Sequence, residues 1–145
     1  MNTPRSALPA AQAPFWASMR LIDPALPLGD AAVLLIVTLI GFLTHGEGLG
    51  PRLLTTFLPL CAAWALVAPW LGVFRPATYR RASQAWRAAL AMILCAPMAA
   101  LLRALWLNAP IIPSFVIALG FSAAVLMTLW RLGWAWRAGR SADHG

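Results

Sequence analysis

The stretch Asp30-Ala-Ala-Val-Leu-Leu-Ile-Val-Thr-Leu-Ile-Gly-Phe-Leu-Thr-His-Gly-Glu47 decides how the chain is read. It is an apolar run with a carboxylate at one end and His45 and Glu47 at the other. Its uncharged centre, Ala31–Leu43, has 13 residues. A helix needs about 20 residues to cross the hydrocarbon of a bilayer. A full crossing therefore recruits both flanks, from about Leu26 to Thr44, and places Asp30 inside the membrane edge. At about 100° per residue, Asp30, Val37, Gly41 and Thr44 fall in one narrow sector, with His45 near its edge. That small and polar face is expected to turn towards other helices.

The remainder of the chain supplies those helices. It has 145 residues, 61% hydrophobic and 10% charged. Soluble domains carry about a quarter charged residues, and a chain this short cannot shelter so much apolar surface in its own core. Lipid is the natural second solvent. Leu53–Phe74 is a second span, with Pro59 and Pro69 as kink sites, and Ala88–Leu107 a third, with Pro97 and Arg103 inside it. Asn108-Ala-Pro110 makes a turn, and Ile111–Leu132 is the fourth span, before a polar tail over 135–145. Membrane helices tolerate internal Pro where neighbours satisfy the freed backbone groups. Residues 1–25 hold four of the five Pro at 4, 9, 14, 24 and 27, too many for one helix. No apolar stretch long enough for a signal peptide follows Arg5. Phe15, Trp16, Met19, Leu21 and Ile22 suit an interfacial segment. The expected fold is all-α: an integral membrane bundle of four transmembrane helices.

The charge pattern orients the bundle. The chain has eleven Arg, no Lys and four acids, for a net charge of +7. In a soluble protein this would suggest nucleic acid. Here the Arg lie between and after the apolar runs, and no basic-aromatic motif for RNA or DNA is present, so no nucleic-acid partner is expected. With both termini cytoplasmic, nine Arg fall inside (5, 20, 75, 80, 81, 87, 131, 137 and 140) against Arg52 and Arg103 outside. The positive-inside rule favours that orientation, in a cell inner membrane. Arg75, Arg80, Arg81 and Arg87 then face anionic lipid. Trp70, Trp86, Trp106, Trp130 and Trp134 fall near span ends, as interfacial anchors do.

Four polar groups carry the functional question. Asp30 and His45 sit at opposite ends of the first span, roughly 22 Å apart by helix rise, too far for one site. Arg103 lies a turn inside the third span, where a guanidinium faces protein or water and finds a partner. It shares a helix face with Met92, Ala96 and Ala99. Glu47, with His45, is expected to pair with it. Asp30 is expected to pair with the inner group, Arg75, Arg80 or Arg87. Each has a structural reading too: a helix-start acid for Asp30, a clamp for Glu47 and Arg103, a backbone-bonded loop residue for His45. No cofactor or metal is implied. Cys61 and Cys95 suit buried filler, and two His with two Cys do not make a zinc site. No nucleophile–base set or phosphate-binding loop appears, so catalysis lacks support.

Gly29-Asp30, Gly41-x-x-Thr-His-Gly-Glu47 and Pro97-Met-x-x-x-Leu-Arg103 together resemble the small four-helix membrane proteins of domain of unknown function 3054. The resemblance covers roughly residues 28–137 and implies fold and location without an activity. Phe42, Leu43 and Thr44 depart from the family pattern of a basic residue and Ser before the His. Two functions follow from the residues. One is the binding or movement of a small solute, ion or proton through Asp30, Thr44, His45, Glu47 and Arg103. The other is a non-catalytic membrane subunit or scaffold, as a homodimer or with a membrane-protein partner. It would dock partner helices on small residues such as Ala85, Ala89, Ala96, Ala100, Gly120 and Ala124.

Overall fold

A computed structural model describes residues 23–44 and 50–142. His45 and Glu47, and the interfacial candidates Phe15 to Ile22, lie outside the described residues. Five α-helices and one short 3-10 helix make up the described fold: α1 (Ala25–Thr44), α2 (Pro51–Trp70), α3 (Pro76–Tyr79), the 3-10 turn Ala82–Gln84, α4 (Trp86–Leu107) and α5 (Pro113–Ala142). Four of these segments are long and apolar enough to cross a membrane. They form an up-down ring in which α1 packs on α2 and α5, and α4 packs on the same two helices from the opposite side. The start of α1, the end of α2, the start of α4 and the end of α5 therefore share one end. We call it the near end, and the other the far end.

The packing surface between helices is small-residued. Ala91, Cys95, Ala96, Ala99 and Ala123 are all buried, interleaved with Leu34, Leu60, Met92 and Met127. Without a hydrophobic drive between lipid-solvated helices, close backbone approach and van der Waals contact hold such bundles. A Cβ placed on Gly120 would lie 3.0 Å from the Cβ of Ala96. The small-residue stripe is thus used up inside the chain, in the α4–α5 contact. Large apolar side chains point outward instead, among them Leu105, Ile117, Phe121 and Leu129, as lipid-facing surfaces require.

Helix bounds follow local chemistry where hydropathy does not. The second apolar run reads through to Phe74, but α2 stops at Trp70. Gly72 takes φ +66, its N–H bonds to the Pro69 carbonyl at 3.0 Å, and Val73 N–H bonds back to Ala68 at 3.1 Å. This is the paired-bond helix stop that glycine permits. α4 ends with Asn108 at φ 48. α5 begins at Pro113, a favoured first position, and runs past the expected limit at Leu132 to Ala142. Within it, Ala135 is still buried.

Candidate functional site

The near end is organised around Asp30. The residue is 1% exposed, on the second turn of α1. Each carboxylate oxygen is claimed by donors from other helices. Trp130 Nε1 donates to Oδ1 at 2.9 Å. Trp64 Nε1 donates to Oδ2 at 3.3 Å, and Arg131 Nη2 pairs with the same oxygen at 2.5 Å. Arg131 is itself only 3% exposed. Its other terminal nitrogen donates to the Val73 carbonyl at 3.1 Å, a group freed by the helix stop at Gly72. Its guanidinium carbon lies 5.3 Å from the Phe74 ring and 6.0 Å from the Trp64 ring. One ion pair thereby joins α1, α2, α5 and the α2–α3 connection.

Glycine makes this approach feasible. A Cβ on Gly29 would fall 1.9 Å from Cζ2 of Trp130. Only a residue without a side chain lets that indole reach the neighbouring carboxylate.

The pairing differs from the sequence expectation. Asp30 meets Arg131 rather than Arg75, Arg80 or Arg87. Arg87 is half-buried and turns into the connection, giving Nε to Gln84 at 2.8 Å and Nη1 to the Leu71 carbonyl at 3.1 Å. It is not a free lipid-facing cation. Arg75, Arg80 and Arg81 are exposed. Three further residues were misplaced or missed. Arg131, expected only as one of the nine inner-side Arg, and Trp130, expected as an interfacial anchor, are both partners of Asp30, and Trp64 joins them. A Trp-Arg pair ending an apolar run was the available signal, and it resembled an interfacial belt.

The far end contains a cavity of about 220 Å³ between the four long helices. Arg103 of α4 and Thr56 of α2 stand on its wall, across from Thr38 and Gly41 of α1 and Phe115 and Ser122 of α5. Arg103 is half-buried. Its Nε is enclosed without a hydrogen-bond acceptor, and its guanidinium carbon lies 5.7 Å from the Phe115 ring. The expected partners Glu47 and His45 lie outside the described residues. Thr44, expected on the inward face, is exposed and bonds back to the Gly41 carbonyl at 3.0 Å. Thr38, six residues earlier and round the helix from it, is the buried hydroxyl of α1.

Between the cavity and Asp30 lie Leu34 of α1, Leu60 of α2, Cys95 of α4 and Met127 of α5, each fully buried. Cys61 and Cys95 are free thiols.

Among the described residues the bundle is all-helical, with four helices long and apolar enough to cross a membrane, a buried ion pair at one end and Arg103 on a cavity at the other, an arrangement compatible with a multi-pass membrane protein. The chain belongs to the family described as protein of unknown function (DUF3054), whose model matches residues 27–134. Neither a curated protein nor a solved structure matches the chain.

Proposed function

We propose that this chain is a multi-pass protein of a cell inner membrane that holds a small solute in the far half of its bundle. Both termini and the Arg75–Arg87 connection lie on the cytoplasmic side in this reading. Arg75, Arg80 and Arg81 meet anionic headgroups there, and the far cavity opens towards the other leaflet. The observation that carries the reading is the cavity of about 220 Å³ with Arg103 on its wall. The dry layer of Leu34, Leu60, Cys95 and Met127 beneath it favours binding over passage. Asp30 is then a structural group. Both its oxygens are already bonded, and it does not line the cavity.

Against the scaffold reading stands the contact between Gly120 and Ala96, two of its six small docking residues, within the chain itself. Gly41 supplies the test. A Cβ there meets nothing within 4 Å, so Gly41→Leu fills the cavity without disturbing the fold. A solute panel is screened for thermal stabilisation of the purified chain in detergent. A solute that stabilises the native protein and not Gly41→Leu supports the reading. Identical responses of the two proteins to every solute would remove it.

A further inference from the structure

We infer that the cavity is selective for a compact monoanion with an apolar body, a small monocarboxylate in the first instance, held by Arg103. The inference rests on the solute-binding reading and names the ligand's charge and size.

Charge comes first. Among the described residues, Arg103 is the one charged side chain on the cavity wall. A guanidinium stays protonated in proteins, and one enclosed among apolar groups favours an anion. Both buried arginines keep an Nε without an acceptor. Arg131 nonetheless has its carboxylate, Asp30. Arg103 has a ring face at 5.7 Å and no hydrogen-bond acceptor at Nε. An enclosed N–H left unbonded is unfavourable. A ligand carboxylate supplies what the wall lacks, in the planar geometry that guanidinium matches.

The hydroxyls sharpen the choice. Thr38 donates to the Leu34 carbonyl at 2.8 Å, Thr56 to Arg52 at 3.4 Å, and Ser122 to Ala118 at 2.7 Å. Each proton is spent on its own helix. In this arrangement the oxygens turn lone pairs rather than protons to the cavity. A carboxylate is steered to Arg103 alone, and the opposite wall accepts an apolar body or an N–H or O–H group. Among the described residues, no carboxylate lines the space to compensate a ligand cation.

Size sets the upper bound. A dry cavity of about 150 Å³ admits benzene. A volume near 220 Å³ thus suits on the order of ten non-hydrogen atoms by the same scaling. Phe42, Ile112, Phe115 and Leu119 give that body an aromatic and aliphatic surround. Polyphosphates are too large and too highly charged for one guanidinium.

The experiment uses three isosteric probes on the full chain in detergent: 3-phenylpropionate, 3-phenylpropionamide and 3-phenylpropylamine. Binding is read by saturation-transfer NMR and by thermal shift, each taken as the difference between native protein and Gly41→Leu so that micelle partitioning cancels. The carboxylate is expected to bind the native chain at least tenfold tighter than the amide, and the amine not to bind. Arg103→Gln removes that preference, and Arg103→Lys retains part of it. Oleate, a lipid-derived carboxylate, is expected to show no Gly41-dependent signal; a signal equal to that of the short acid would assign the site to membrane fatty acids instead. Equal binding of acid and amide to native protein overturns the anion inference while leaving a solute site. Absence of Gly41-dependent binding by all three short probes removes the solute site with it. The acid–amide comparison on native protein stands even where Arg103→Gln does not fold.

Discussion

Trp130 occupies the space that a side chain on Gly29 would need: Cζ2 lies 1.9 Å from the position of the missing Cβ. The contact lets the indole donate to Asp30 one residue further on. Gly29→Ala is expected to push Trp130 away and break that bond. Overpacking of this kind destabilises by about 1–3 kcal/mol. Thermal unfolding in detergent measures the loss, and the Trp emission maximum should shift as well. Gly29→Ala combined with Trp130→Leu should recover stability relative to Gly29→Ala alone. Failure of that rescue would mean the glycine is needed for another reason.

The Asp30–Arg131 pair invites a double-mutant cycle. Removing one member of a buried pair strands the other charge, at about 3–5 kcal/mol. Asp30→Leu and Arg131→Met are each expected to fall in that range. Combined, they should be less damaging than the sum by several kcal/mol, because no lone charge remains. Additive losses, seen by chemical or thermal denaturation, would show that the two groups act independently.

Gly72 ends α2 in a left-handed conformation. An L side chain there costs about 1–2 kcal/mol, and a Cβ would also come within 3.2 Å of Arg75 Cδ. Gly72→Ala should lower stability by that amount, and Gly72→Asn by less, since Asn tolerates the region. The two carbonyls exposed by this stop serve Arg87 and Arg131. The substitution should therefore loosen the near end before the far end, as hydrogen exchange would report.

The α4–α5 seam can be tested by a swap. Gly120→Ala places two methyl groups 3.0 Å apart and should destabilise by about 1 kcal/mol, the lower end of overpacking. Adding Ala96→Gly moves the free space to the other helix and should restore most of the thermal midpoint. An unchanged midpoint in Gly120→Ala alone would show a looser seam.

Much of this architecture was legible because charge in an apolar run is expensive. Asp30 and Arg103 stood out for that reason, and Arg103 does face the interior alongside Met92, Ala96 and Ala99. Partner choice was not legible. It depends on the rotation and depth of one helix against another, which composition does not carry. Arg131 ends an apolar run, so it looked like a leaflet-facing charge, and Trp130 beside it looked like an anchor. Gly72 was hidden because hydropathy registers side chains and not backbone torsion. Thr44 fits the helical sector, but it lies in the last turn, where its hydroxyl bonds back to the helix, and the buried hydroxyl of α1 belongs to Thr38, outside that sector.

The far cavity lies above a layer of fully buried side chains that includes Cys95. Thiol accessibility in a Cys61→Ala background tests that arrangement directly, with Gly41→Cys reporting on the cavity and native Cys95 on the layer beneath it. A membrane-impermeant thiosulfonate, applied to each side of sealed vesicles in turn, should modify Gly41→Cys from the side opposite the Arg75–Arg87 connection. It should leave Cys95 untouched until the protein is unfolded. Rapid modification of Cys95 in the folded chain, or an inert Gly41→Cys, would contradict the account.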